Sequence, residues 1–402
     1  NKLFLKKGGM VIENNNIICF GFAEWDNPYR TNQHHLMERF SHSNRVLFIE
    51  SLGLRRPTFQ QKDLKRIIYR LIKWIKGVRK VSDNLFVYSP LVLPFHKYSA
   101  IRFVNKQFLM LQLKYIVAKY GFDEPIIWSY IPNALEFIGV WKEKLVVYHC
   151  VDELSANPLI PGDVVRKMEE KFIKAADCVF VTAKPLYDEK KKISDKVYCM
   201  PNVADYSHFS TALNEGTKTP FEISSIPAPR LGFIGAVSNY KLDLDLIEYI
   251  AEKNKQWSII LVGNTGEGER TADLSRFDKY KNVHILGGRP YKDLPGYIKG
   301  FDVCLLPSKI NEYTRNMFPM KFFEYLATGK PVVSTRLEAL ADFRDFAYFS
   351  AGREEFEENI RAALQENDSS LKEKRIAVAK KFTWEVRIEE MSMIIDKAYR
   401  NN

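Results

Sequence analysis

Short, continuously apolar runs recur along the whole chain and alternate with stretches of helical periodicity. NIICFGFA from Asn16, RVLFIES from Arg45, LFVYSP from Leu85, EPIIWSYIP from Glu124 and LVVYHC from Leu145 set the pattern. It resumes as RLGFIG from Arg230, WSIILVG from Trp257, NVHILGG from Asn282, DVCLLPS from Asp302 and PVVST from Pro331. Runs this short, apolar on every residue rather than on alternate ones, fit strands buried on both faces of a parallel sheet. Interposed helices supply the crossovers, so the fold class is α/β. At 402 residues the chain is longer than one ordinary domain and long enough for two. A polar stretch rich in Thr, Ser, Pro and Gly separates the two sets of runs, which places a linker at 206–229 between domains at 1–205 and 230–382.

The stretch from Pro319 to Thr335, PMKFFEYLATGKPVVST, carries the most chemistry. Pro319 suits the start of a helix, Gly329 and Pro331 end it, and PVVST returns as a strand. Lys321 and Glu324 are three residues apart and share a face, with Phe322, Phe323 and Leu326 on the buried side. A cation, a carboxylate and the free N–H groups of a helix start suit a nucleoside diphosphate: Lys321 on phosphate, Glu324 on the ribose hydroxyls. The plainer reading is a solvated pair on a surface helix. Upstream, Gly232 and Gly235 allow close backbone approach at a strand-to-helix turn where a diphosphate rests, and Lys241 lies within reach of it; an exposed charge is the alternative for Lys241. The glycines do not make G-x-G-x-x-G, so a dinucleotide cofactor is not supported. Asp243-Leu-Asp245 has the letters of a metal-binding D-x-D but falls inside a helix, and no metal site is assigned.

Two clusters stand out in the first half. After the strand from Asn16, the loop and helix start carry Trp25, Asp26, Arg30, Asn32 and His34, at a carboxyl end of a strand where ligands of open α/β sheets bind. His34 and His35 also fit surface positions at a helix start. The strand from Leu145 delivers His149, Asp152 and Glu153 at its end. A carboxylate there can take the proton of an attacking hydroxyl, and Asp152 is the preferred general base; its alternative is a helix N-cap.

The segment P-x-K-x-x-E-Y-x-A-x-G-K-P-V-V, preceded by DVCLLPS, resembles the donor helix of GT-B glycosyltransferases. The likeness runs through LGFIGAVSNYKLDLDLI, WSIILVG and NVHILGGRPYKDLPGYIKGFD over the C-terminal half. It looks most like the teichuronic-acid-type transferases of glycosyl transferases group 1 and, more distantly, the xanthan glucuronosyltransferase. The resemblance implies two Rossmann-like doubly wound domains facing a cleft, with a final helix at 383–402 crossing back to the first. It implies a UDP-sugar donor held by Gly235, Lys241, Arg289, Tyr291, Arg315, Asn316, Met320, Lys321 and Glu324, with Lys321 and Asp152 catalytic. The acceptor falls to Trp25, Asp26, Arg30, Asn32, His34, His149 and Glu153. Retaining members place a Glu eight residues before the equivalent of Glu324; Asn316 stands there, which leaves the anomeric outcome open. No metal or other cofactor is expected. An epimerase of the same fold and a catalytically silent nucleotide-sugar-binding partner are the alternatives.

Five cysteines, at 19, 150, 178, 199 and 304, lie in apolar runs without a C-x-x-C pair and are expected as buried thiols of a cytoplasmic protein. The net charge of +11 is concentrated: between Arg55 and Tyr120 there are fifteen Lys or Arg against two acids. Within it, Leu64, Ile67, Ile68, Leu71, Ile75 and Val78 recur at helical spacing, with Lys62, Lys65, Arg66, Lys73, Lys76 and Arg79 largely elsewhere. This pattern suits a helix on an anionic membrane surface, the inner face, where a lipid-linked glycan would be met. The alternatives are a core-packed helix with a basic outer side, and nucleic acid, for which no binding motif is present.

Overall fold

The computed structural model describes residues 12–27, 29–51, 61–91, 99–157, 160–265 and 273–401, with backbone alone at 61–67, 99–102 and 401. Two compact units result. One takes the chain as far as Thr182, Leu186–Met200 and the stretch from Ile388 on; the other takes Ala183–Pro185 and Pro201–Arg387.

The first unit is built on eight strands: β1 (Asn16–Phe20), β2 (Arg45–Ile49), β3 (Arg79–Lys80), β4 (Leu85–Tyr88), β5 (Ile126–Ser129), β6 (Leu145–Cys150), β7 (Cys178–Val181) and β8 (Val197–Cys199). Their order is β3-β4-β2-β1-β5-β6-β7-β8, parallel throughout except for the β3 and β4 pair. Ile17 to Phe20, Ile126 to Ser129 and Leu145 to Cys150 are buried without alternation, as expected of central strands covered on both faces. The helices are α1 (Asn32–Phe40), α2 (Gln61–Lys76), α3 (Ser99–Tyr120), α4 (Gly162–Ala175) and α5 (Lys184–Lys190). The chain order turns at β1, with β2 on one side and β5 on the other. In such sheets that reversal opens a crevice at the strand ends, and the loop after β1 carries Trp25 and Asp26.

The second unit holds six parallel strands in the order β11-β10-β9-β12-β13-β14: β9 (Arg230–Ile234), β10 (Ser258–Val262), β11 (Val283–Gly287), β12 (Val303–Leu306), β13 (Val332–Thr335) and β14 (Tyr348–Ser350). Residues 206–229, expected as a linker, fold instead as α6 (Tyr206–Phe209), a 3₁₀ turn and α7 (Phe221–Ser224). Phe209, Ile223 and Ile226 join the core beside Ile298 and Phe301. Their spacing follows no single period, so the polar composition hid them. The remaining helices are α8 (Leu244–Lys253), α9 (Leu294–Lys299), α10 (Glu312–Arg315), α11 (Lys321–Leu326), α12 (Arg353–Leu364), α13 (Ser369–Ala379) and α14 (Trp384–Asn401), whose residues group with the first unit from Ile388 on. At the tips of β9 and β10 the backbones touch: a Cβ on Gly263 would overlap the Gly235 carbonyl, so a larger residue would force these strand ends apart. The described cysteines are free thiols, four buried and Cys199 half-buried.

Candidate functional site

Helix α11 is fixed before it does any chemistry. Phe322, Phe323, Tyr325 and Leu326 are fully buried, each contributing about 1.5–3 kcal/mol by leaving water, and Phe323 stacks on Phe382 at 4.5 Å. Gly329 adopts φ +72° just past the helix, the left-handed stop that a side chain resists. The Tyr325 hydroxyl accepts the Ile234 N–H at 2.8 Å, which ties the helix to the end of β9, one residue before Gly235. Asn202 Nδ2 donates to the Phe318 carbonyl at 2.9 Å and holds the approach to the helix.

On this base Lys321 Nζ stands 2.5 Å from Glu324 Oε2; the lysine side chain is 23% exposed and the glutamate 1%. A carboxylate so buried requires its cation. The same ammonium lies 5.7 Å from the Phe209 ring centre. Phe209 meets Tyr291 edge-on at 5.6 Å, and Tyr291 stacks on His208 at 4.5 Å with 16° between planes. The His208 ring is held by its Nε2 at 2.9 Å from the Tyr291 carbonyl. Lys321, Glu324 and Tyr291, which sequence reasoning put in one site, are thus joined through Phe209 and His208, which it missed.

Other donor candidates are placed differently. Arg289 is taken up by Glu222, with Nη2 at 2.5 Å and Nε at 2.8 Å, and by the Tyr297 hydroxyl. Its hydrogen bonds hold the Glu222 carboxyl down to about 2, against burial and with help from Tyr297. Arg289 therefore braces α7 against α9 through this fork rather than presenting its guanidinium. Lys241 Nζ sits 5.5 and 5.3 Å from the Tyr240 and Tyr313 rings, an arrangement that favours a cation, while its carbonyl accepts the Lys309 N–H. Asn316 is buried and donates to the Glu312 carbonyl at 2.9 Å; Arg315 is exposed and Met320 half-buried at the start of α11. Asp243 caps α8 through the Leu246 N–H, and Asp245 pairs with Arg276 at 2.7 Å.

In the first unit, Asp152 is half-buried between two anchors. Thr182 Oγ1 donates to the Val151 carbonyl at 2.6 Å, and Glu153 lies between Lys190, at 2.8 Å, and the Ser155 N–H, at 3.3 Å. Glu153, not Asp152, caps the following 3₁₀ turn. Lys190 also meets Glu169 at 2.7 Å, and Tyr148 donates to Glu169 at 2.8 Å. Burial would lift the Glu153 carboxyl, but Lys190 outweighs it and holds the group below its ordinary range. Glu153 is therefore held in a buried ion pair with Lys190, and Asp152 beside it is the more exposed of the two carboxylates. His149 is likewise withdrawn, its ring stacked on Tyr130 at 4.9 Å and edge-on to Trp128 and Phe180.

The loop residues divide the same way. Trp25 is buried against His34 and Phe48, and its backbone N–H donates to Glu50 at 2.8 Å. Asn32 is buried at the start of α1, and Arg30 pairs with Glu38. Asp26 is exposed but held by Arg79 at 2.8 Å. His34 is buried as well: Thr31 N–H donates to its Nδ1 at 3.1 Å, which leaves the Nε2 proton for the Glu24 carbonyl, also at 3.1 Å. Burial pushes His34 down to about 4, only partly opposed by the Glu24 carbonyl. The unfolded chain then binds more protons than the folded one between pH 4 and 6.5. Stability from this group is complete above pH 6.5 and declines as pH falls to 4, by about 3 kcal/mol. The thermal unfolding midpoint of the wild type should fall as pH drops across that window and that of His34→Gln much less; equal acid sensitivity would exclude His34.

Residues 228–366 match the profile of the family described as Glycosyl transferases group 1. That stretch is a glycosyl transferases group 1 domain. The group 1 domain contains Lys321, Glu324, Tyr291 and Gly235, and Phe209 and His208 reach it from the segment before. The chain is 28% identical over 225 residues, 52% of its own length, to a Bacillus subtilis (strain 168) protein named for teichuronic acid biosynthesis, glycosyltransferase TuaH. The match spans about half of that relative, 55%. Sucrose-phosphate synthase (tll1590) from Thermosynechococcus elongatus superposes with a TM-score of 0.67 at 14% identity, over 97% of this chain and 100% of that one. Alr3699/HepE of Anabaena, solved in complex with UDP and glucose, gives 0.65 at 14% identity over the same shares. The fold, around the group 1 domain, is GT-B.

Proposed function

We propose that this chain transfers a sugar from a UDP-sugar to a lipid-linked glycan during synthesis of a surface polysaccharide or glycoconjugate, without a metal ion. The Lys321 and Glu324 pair on α11 carries the reading. Lys321 meets the diphosphate, Glu324 accepts from the ribose hydroxyls, and the Tyr291 ring, stacked on His208, contributes aromatic surface for the base. An acceptor hydroxyl attacks the anomeric carbon, its proton passes to Asp152, and the bond from that carbon to the β-phosphate oxygen breaks. The negative charge that collects on the leaving UDP is stabilised by the Lys321 ammonium, work that a metal ion does in metal-dependent transferases. The name of the teichuronic acid relative supports a role in polysaccharide synthesis, and the UDP complex of the Anabaena neighbour supports the donor.

The membrane face is proposed on the first unit. Among the described residues, α2 exposes Ile68, Tyr69, Leu71, Ile72 and Ile75, and α3 exposes Phe103, Val104, Phe108, Leu111 and Tyr115. Trp74 and Phe108 bring the helices together at 6.2 Å, so the two apolar stripes adjoin. Helix α3 has no acidic residue, and no described helix is long and apolar enough to cross a membrane. Broad apolar faces with basic flanks suit the interface of an anionic bilayer on its inner side. Lys65 and Arg66 lie outside the described side chains.

A panel of UDP-, GDP- and dTDP-sugars tests the donor half by protection against thermal unfolding. UDP-sugars should raise the midpoint and the others should not; protection by GDP- or dTDP-sugars alone would replace the proposed nucleotide.

A further inference from the structure

Lys73 was expected on the outward basic side of α2, and it points the other way. Its side chain is 14% exposed, with Nζ 3.2 Å from Glu24 Oε2, 3.3 Å from both oxygens of Glu50 and 3.6 Å from Asp26 Oδ2. Glu24 and Asp26 belong to the loop after β1; Glu50 directly follows β2, and it also accepts the Trp25 backbone N–H and the Ser89 hydroxyl. Arg79, just beyond α2, adds a second tie at Asp26. One ammonium therefore clips the helix to the loop of candidate acceptor residues and both to the sheet. The carboxylates are unequal. Glu50 is buried and needs a cation at all times, whereas Glu24 and Asp26 are 27% and 44% exposed and can return to water if the helix shifts.

The outer side of the same helix is the proposed membrane face. Ile68, Leu71, Ile72 and Ile75 project away from the unit while Lys73 projects into it. The depth and rotation of α2 set where the Lys73 stem leaves the helix, and so whether its Nζ reaches Glu24 and Asp26.

We propose that Lys73 is a positioning residue that couples the seating of α2 on an anionic bilayer to the ordering of the loop from Phe22 to Asn27. This rests on the membrane reading given above. In the seated state the clip is closed and the loop is held for the acceptor; off the membrane Glu24 exchanges with water while Asp26 keeps Arg79. The device would keep the acceptor side unformed until the protein is where a lipid-linked acceptor is found.

Hydrogen exchange on the full chain tests it, with and without vesicles of phosphatidylglycerol and phosphatidylcholine. On anionic vesicles, amides of residues 22–27 in the wild type should exchange roughly tenfold more slowly than in free protein. Glu24→Gln should bind the vesicles equally and lose that slowing. Lys73→Met should exchange faster in this loop even without vesicles, and Lys73→Arg should restore protection. With a transfer assay, Lys73→Met should raise the acceptor KM and leave UDP affinity unchanged. Should Lys73→Met fail to fold, Glu24→Gln alone decides. Vesicle-bound wild type with unchanged loop exchange would overturn the coupling, as would equal slowing in Glu24→Gln. A wild type that ignores anionic vesicles would overturn the membrane reading and the coupling with it, while loop exchange in Lys73→Met would still report whether the clip holds the loop.

Discussion

Lys321→Ala is expected to lower turnover by roughly 10² to 10³, the scale seen when one preorganised charge is removed from a transition state. The substitution has a second effect that must be separated from the first. It leaves Glu324, 1% exposed, as a buried carboxylate without its cation, which costs about 3–5 kcal/mol when one partner of a buried pair is lost. The double variant Lys321→Ala with Glu324→Gln removes that penalty. It should recover most of the thermal stability and none of the turnover. If turnover returned with stability, the pair would be a brace for α11 and nothing more.

Asp152→Asn should lower transfer by roughly 10² to 10⁴, the range attributable to a general base, while UDP binding stays as in the wild type. The acidic limb of the pH profile should vanish with it, because that limb reports protonation of the base. The substitution is nearly isosteric, and the neighbouring anchors at Val151 and Glu153 do not depend on the Asp152 carboxylate, so folding should survive. A variant that transfers sugar at the wild-type rate would return Asp152 to an ordinary loop position. One that loses UDP binding as well would assign it to the donor instead.

The strands and α11 were legible in the sequence because their signals are local: runs of apolar residues without alternation, and a proline, a glycine and a three-residue spacing. The position of Lys321 beside Glu324 follows from helix geometry and needed nothing from the rest of the chain. What stayed hidden depends on partners far away in sequence. Arg289 reads as an available guanidinium until Glu222, 67 residues earlier, closes on it. Glu153 and Asp152 are adjacent and alike in sequence, and only Lys190, 37 residues later, distinguishes the ion-paired carboxylate from the candidate base. Lys73 looked like one more surface charge because helical spacing alone does not show that Glu50 lies buried beneath it. His208 and Phe209 were overlooked for the opposite reason: the polar composition around them suggested a linker, and their contact with Tyr291 and Lys321 crosses more than eighty residues.

A calorimetric titration with UDP tests the donor site most directly, since it needs neither acceptor nor sugar. The wild type should bind one UDP per chain, and Glu324→Gln, which keeps the shape of the side chain but not its charge, should bind at least ~10-fold more weakly, as expected when a charge-assisted hydrogen bond is lost. Equal affinity for UDP in the two proteins would contradict the assignment of α11 as the nucleotide-binding helix.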